Sequence, residues 1–461
     1  MRAVLLLVFF FVCSVAAYAQ ERYMHIADIS ISGNEKTKPQ TILREFRYSV
    51  GDSIPDGRVD AEITNFSDNL HRLMLFNNID VSYSQSDSTA IAVNVNVEER
   101  WYYWIYPILE IADRNLTSYF HYKDYRKINY GVAFDWLNFR GRNEMLNFKV
   151  RLGYKEHYAV SYQKPNIGRN RSSGIWVKTE YFRQKKDIAY IEECKPVYAE
   201  NENAYIRGMI VAGAGYVFRP GVNYDFSLSL SYQNIVSRDS MLAPEGKLVQ
   251  NFIVPSFAFD YDNRDSKVCP TSGLHAEIGV NVFSELASSS FGFASLGFEY
   301  NCSVFRRRIF YHGALSHRQF FGASENIPMN ERIELCRSNL IRGFDYYYIL
   351  ARNFSAIQNT FSIKILDRRD FSLPKWIPTK FRNPYIQIYA DLFADLAYCS
   401  NFAPSSEVEN PLTHKPIYSA GAGLTFETYY DRALKVYVAY NGNFDFFGVF
   451  VDYKTPIYKK F

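Results

Sequence analysis

The 461-residue chain carries 52 Lys+Arg against 48 Asp+Glu, a formal net charge of +4, too near neutral for a nucleic-acid binder held by bulk charge. Its 37 Tyr and 37 Phe lift aromatics to 17% while mean hydropathy stays at −0.23. Past the signal-like start there is no apolar run of roughly 18 residues, which excludes helical membrane spans, and the combination fits a transmembrane β-barrel, whose strands need only alternate residues to be apolar.

The chain opens with Arg2, an apolar run from Ala3 to Val12, and Ala17-Tyr18-Ala19 before Gln20. A charged start, a short apolar stretch and an A-x-A site predict a signal peptide over residues 1–19, removed on export. Cys13 lies inside it and lacks the small residues that precede a lipoprotein cysteine. The mature chain then keeps Cys194, Cys269, Cys302, Cys336 and Cys399, scattered and without a C-x-x-C. Such a set is not a disulfide framework. Small half-buried residues are expected, with one surface bridge left open.

Residues 20–99 have a rhythm of their own. His25 to Ser32 alternates as a short strand and ends at the turn pair Gly33-Asn34. Thr37 opens a helical stretch with Pro39 in its first turn, where a missing N–H costs little. Ile42, Leu43 and Phe46 form its apolar face, with Tyr48 at the margin. Gly51-Asp52 and Pro55-Asp56-Gly57 interrupt the pattern. In a second helix Val59, Ile63, Phe66, Leu70, Leu73 and Met74 recur at three-to-four spacing. Two strands, Ile79 to Tyr83 and Ala90 to Val97, close a βααββ unit with a small core. The segments Ile29–Asn34, Thr41–Phe46, Gly51-Asp52 and Asn69–Asn77 resemble a POTRA domain. That resemblance implies a periplasmic module that offers a sheet edge to an extended client segment.

Residues 100–461 read as the barrel. Leu146, Phe148, Val150, Leu152 and Tyr154 alternate with polar residues and Gly153. Tyr224, Phe226, Leu228, Leu230 and Tyr232 alternate with Asp225 and serines, and the same period runs through Leu274–Val282 and Leu434–Tyr440. Period two with one polar set predicts strands facing lipid outside and water inside. At about 22 residues per strand and connection, the length predicts roughly sixteen antiparallel strands. Tyr102, Tyr103, Trp104 and Tyr106 are expected in an interfacial girdle. Gln184 to Asn203 reads as a charged surface loop, and Gly322 to Arg342 as a second long one.

Ile341-Arg342-Gly343-Phe344 closes that second loop, and Phe393-Ala394-Asp395 follows on a later strand. Together they resemble the VRGF/IRGF and F-x-D-x-G elements of the BamA/TamA-like outer-membrane assembly and secretion superfamily, of bacterial surface antigen type. The resemblance implies that the loop folds into the lumen as a lid and that Arg342 docks on the barrel wall. Its implied partner is Asp395, with Asp391 as the alternative on the same face; Ala397 departs from the final glycine of the pattern. A buried guanidinium demands such a carboxylate. Asp260, Arg264 and Asp265 ahead of Pro270 and Gly273 resemble the family's strand reversal at the periplasmic side, and Gly131 with Asn138–Gly141 its first barrel strands. Phe461, after a strand-like Phe446 to Tyr453, resembles the terminal signal by which barrels reach the assembly machinery.

Catalytic patterns are missing. There is no H-E-x-x-H and no G-x-S-x-G. His312 and His317, the nearest histidine pair, fall on opposite strand faces. Gly213-Ala214-Gly215 and Gly421-Ala422-Gly423 sit within strands, with no helix to present amides to a phosphate, and read as relief of wall curvature. No enzymatic activity, metal, cofactor or nucleic acid is expected. The resemblance implies an outer-membrane protein of a Gram-negative bacterium that assists insertion or translocation of client proteins, bound by POTRA strand augmentation and passed through or beside the barrel. Its partners would be unfolded outer-membrane or secreted clients and the lipid bilayer, with periplasmic chaperones or lipoproteins left open. One POTRA domain favours an accessory, client-restricted translocator. A diffusion porin or channel, and a surface adhesin or scaffold, stand as alternatives.

Overall fold

The computed structural model describes residues 22–454 apart from 88, 112–127, 168–171, 222, 243–245, 286–289, 323–326, 328–330, 332, 336–340, 346, 402–409 and 431. The expected signal over 1–19 and Phe461 lie outside the described residues. The chain forms two compact units, one ending at Arg100 and one beginning at Trp101.

In the first unit β1 (Tyr23–Ser32), α1 (Pro39–Leu43), β2 (Ser53–Pro55), α2 (Val59–Arg72), β3 (Phe76–Asp87) and β4 (Ala90–Glu99) follow in order. The sheet runs β2-β1-β4-β3, with β1 parallel to β4 and the other pairs antiparallel. The apolar spacing of α2 buries Val59, Ile63, Phe66 and Leu70, and β4 supplies Ile91, Val93, Val95 and Val97 to the same core. Phe46 stacks on Phe66 with centroids 4.5 Å apart. Gly33 takes φ +81°, and a Cβ there would meet the Val97 carbonyl oxygen at 1.9 Å, so only glycine fits this turn.

Two expectations for this unit need correction. The first helix is a single turn that leaves Leu43 exposed. Beyond it Asn69 of α2 donates to the Glu45 carbonyl at 2.9 Å, so tertiary contact, not further helix, holds the chain. The order is also βαβαββ, because Ser53–Pro55 pairs antiparallel with β1. Three residues ending in proline carry too little period to be read as a strand.

The second unit contains β5 (Tyr103–Ile111), β6 (Ile128–Phe139), β7 (Glu144–Gly153), β8 (Lys155–Ile167), β9 (Ser173–Gln184), β10 (Lys186–Glu192) and β11 (Lys195–Glu200). Then come β12 (Arg207–Phe218), β13 (Tyr224–Ser237), β14 (Val249–Asp262), β15 (Gly273–Glu285), β16 (Phe291–Phe305) and β17 (Ile309–Gly322). Last are β18 (Ile333–Leu335), β19 (Tyr348–Leu350), β20 (Asn353–Asp370), β21 (Tyr385–Ser400), β22 (Pro416–Thr428), β23 (Arg432–Asn441) and β24 (Phe446–Lys454). All but the hairpins β10/β11 and β18/β19 join one antiparallel 16-stranded sheet.

Burial is inverted relative to a water-soluble sheet. Along β13, Tyr224, Phe226, Leu228, Leu230 and Tyr232 are exposed, while Asp225, Ser227, Ser229 and Ser231 are half-buried. The exposed set faces lipid and the polar set the lumen. Register carries the polar face onward, since Asp225 lies opposite Asp260 and Asp260 opposite Glu277. No described helix is long and apolar enough to cross a membrane.

Side chains bring the two ends of this sheet together. The Arg432 guanidinium, at the start of β23, lies 4.6 Å from the Trp104 ring of β5. Tyr430 meets Trp104 at 5.2 Å, and Phe381, from the connection between β20 and β21, meets both Trp101 and Trp104 near 6.0 Å and 6.1 Å. The expected girdle at residues 102–106 is therefore corrected: Tyr102 is buried, and Trp104 shares its face with Asp135, its partner in the β5–β6 ladder, whose carboxylate bonds Asn147. Trp104 thus belongs to the lumen face and Tyr103 to the lipid face, as alternation requires.

Candidate functional site: a loop docked in the barrel lumen

Arg342 sits at the tip of the chain between β18 and β19. Its Nε donates to Asp395 Oδ2 at 2.8 Å and its Nη2 to Asp395 Oδ1, a two-pronged pairing. Its backbone N–H adds a bond to the same carboxylate at 3.1 Å. Nη1 donates to Thr360 Oγ1 at 2.9 Å and Nη2 to the Asn359 carbonyl at 3.2 Å. The guanidinium also lies 4.0 Å over the Phe393 ring. Arg342 and Asp395 are both buried, at 9% and 3% exposure. A buried ion pair is tolerable only when the spare donors and lone pairs are met, and here they are.

Strand geometry explains why β21 can supply this partner. Residues 389, 391, 393, 395, 397 and 399 are buried toward the lumen, while Leu392, Leu396 and Tyr398 are exposed. Asp395 and Asp391 therefore share a face, but their partners differ. Asp391 accepts from Ser362 at 2.6 Å and from Thr425, and pairs with Lys435 at 3.3 Å. It makes a wall-to-wall tie and does not meet Arg342.

The neighbours of Arg342 seat the rest of the loop. Gly343 takes φ +87°, and a Cβ there would press on Ala439 at 2.9 Å. Its carbonyl accepts from Asn441 at 3.1 Å. Ile341 and Phe344 are buried in a cluster with Cys194, Ile349, Phe354, Cys399 and Ile417. Tyr347 stacks on Phe444 at 4.2 Å.

Cys194 comes from the segment expected to be a surface loop, and that expectation is corrected. Residues 186–200 form the hairpin β10/β11 with Glu193 and Cys194 both at positive φ, a two-residue turn made without glycine or asparagine. The Cys194 carbonyl accepts from the Tyr348 amide at 2.9 Å. Ile188 and Ile191 pack against Tyr348 and Leu350, and burial pushes the Cys194 thiol up to about 11. The hairpin folds over the docked loop. Thr360, Asn441 and Cys194 carried no motif in the sequence; Phe393 was part of one, the first position of F-x-D.

The strand-reversal residues form a second constellation. Asp260 and Asp262 end β14, and Gly273 opens β15. Arg264 binds Asp262 through Nε at 2.9 Å and Nη2 at 3.0 Å, and binds Glu299 of β16. Asp265 accepts the amides of Ser266, Thr271 and Ser272, and so shapes the turn. Gly273, at φ +106°, admits no Cβ, which would lie 2.6 Å from Arg264 Cα. Between this turn and the docked Arg342 lies a cavity of about 710 Å³, walled by residues from β14 to β24.

The sheet has a seam. Among the described residues no ladder joins β5 to β24; β5 pairs only with β6, and β24 only with β23.

Residues 138–428 match the Omp85 superfamily domain, and residues 24–100 match the POTRA family described as the surface antigen variable number repeat. The fold is similar to BamA from Haemophilus ducreyi lacking POTRA domains 1–3, at TM-score 0.51 and 13% identity over 94% of this chain and 85% of that one. CdiB from Escherichia coli gives TM-score 0.54 and 11% identity over 93% of this chain and 75% of that one. CdiB from Acinetobacter baumannii gives 0.51 and 13% over 91% and 70%. At such identities the likeness is one of fold. No curated protein sequence matches the chain.

Proposed function

Because the chain belongs to the Omp85 superfamily, we propose that it inserts or translocates client proteins at the outer membrane of a Gram-negative bacterium, with its POTRA unit in the periplasm. The observation that carries this reading is the seam: a sixteen-stranded wall whose first and last strands share no ladder among the described residues. A strand edge without a partner presents a row of amide and carbonyl groups, and an incoming client strand satisfies them by β-pairing. On the lipid side of β24, Phe447, Val449 and Val451 are each at least two-thirds exposed, so a client hairpin added there passes directly into the hydrocarbon. The edge strand β3 of the POTRA unit is the receiving edge for the same clients before they reach the barrel. Backbone pairing and burial of apolar side chains in lipid drive the process, with no covalent step.

The docked loop supports this reading over a diffusion porin. Arg342 lines the cavity and is tied to its wall, and the β10/β11 hairpin packs against β19, which follows the loop, an arrangement that suits a pore shut between clients. The test is depletion of the protein followed by quantitative comparison of the outer-membrane proteome, together with photo-crosslinking from positions 83 and 449. Loss of other barrels or surface proteins, and client adducts from both positions, is the expected result. An unchanged proteome with no adducts overturns the proposal in favour of a channel or adhesin.

A further inference from the structure

We infer that Asp260, His275 and Glu277 form a binding site for a divalent transition-metal ion of the zinc class on the lumen wall. One ligand atom from each lies within 4.8 Å of the others. The three come from adjacent strands, with Asp260 opposite Glu277 and Asp262 opposite His275 in the β14–β15 ladder. A tetrahedral zinc ion with bonds near 2.0–2.1 Å sets its ligands about 3.3 Å apart. His275 Nε2 already lies 3.1 Å from Asp260 Oδ2. Glu277, exposed to the lumen, makes no hydrogen bond or ion pair among the described residues and closes the set by a side-chain rotation.

The local charge asks for a cation. At this corner of the cavity stand the carboxylates of Asp260, Asp262, Glu277 and Glu299, with Arg264 and Lys267 as the fixed cations. Arg264 is committed to Asp262 and Glu299. Four carboxylates against these two cations leave two negative charges at this corner. His275 Nδ1 lies 3.8 Å from Glu299. A divalent ion offsets both charges, with the His275 imidazole as its nitrogen ligand. The imidazole selects a borderline ion over calcium or magnesium, which prefer oxygen alone. His312 of β17 and Cys269 of the turn line the same cavity. No spacing in the sequence marks this group, because its members meet only through strand register.

The experiment uses the full chain, purified in detergent and stripped with a chelator, and titrates zinc alone by calorimetry and by elemental analysis after gel filtration. One equivalent bound is expected. Glu277→Gln, isosteric and exposed to the lumen, should weaken binding at least tenfold, and His275→Gln should abolish it; Glu110→Gln, on β5, should leave it unchanged. Heat-modifiable migration on gels verifies that each variant is a folded barrel. No uptake by the wild-type protein at micromolar free zinc overturns the site, and so does uptake that is equal in the wild type and in Glu277→Gln.

Discussion

Arg342→Ala removes a group that engages Asp395, Thr360 and Asn359 and covers the Phe393 ring. What it leaves matters more than what it removes: the Asp395 side chain is fully buried and would keep only the backbone amide of residue 342. Breaking a buried pair from one side costs about 3–5 kcal/mol. Water from the adjoining cavity can reach the orphaned carboxylate, which places the cost near the lower bound, about 3 kcal/mol. The barrel wall need not bear this, because the loop can undock while every wall ladder survives. At ~1.4 kcal/mol per tenfold, the docking equilibrium shifts about a hundredfold toward the open loop. Hydrogen–deuterium exchange of the Ile349 and Leu350 amides reads that shift directly, and client levels in the outer membrane read its consequence. Asp391→Asn is the control, since Asp391 ties Ser362, Thr425 and Lys435. Unchanged protection in Arg342→Ala, or equal loss in Asp391→Asn, would refute the reasoning.

Three further expectations rest on other contacts. Burial, with a smaller contribution from the Asp452 charge, holds the Asp345 carboxyl above the usual carboxylate range. An acid with a raised value favours the docked loop below about pH 4 and loses that contribution as pH rises through its own titration. Asp345→Asn should therefore increase protection of residues 347–350 at pH 7 and flatten its pH dependence; no change at either pH contradicts this. Gly273→Ala forces a Cβ onto Arg264 at φ +106° and should cost about 1–3 kcal/mol, seen as a lower unfolding midpoint in detergent; an unshifted midpoint refutes the strain. Cys194, buried and with its thiol pushed up to about 11, should resist maleimide at pH 7.5 and react faster in Arg342→Ala, as the cluster it shares with Phe344 opens. Labelling of the native wild type at the denatured rate would show that the hairpin does not cover it.

Local pattern alone determined a good deal of this protein. The alternation in Tyr224–Tyr232 fixes strand and lipid-facing side together, because a period of two admits no other placement once one set must meet hydrocarbon. The spacing of Val59, Ile63, Phe66 and Leu70 likewise specifies a helix with one buried face. The motifs around Arg342 and Asp395 were visible as residue types in order. The resemblance pointed to Asp395 with Asp391 as the alternative; residue pattern alone does not separate them, since both share a face and only the depth to which the loop descends brings Arg342 to Asp395. The hairpin over the loop leaves no local signal, because its turn, Glu193-Cys194, uses no turn residue and its apolar positions find their partners in Tyr348 and Leu350, more than a hundred residues away. The seam and the Asp260–His275–Glu277 group belong to the tertiary structure alone. Each depends on which strands lie side by side when a sixteen-stranded sheet curls on itself, and that is a property of closure and register, which no local run of sequence contains.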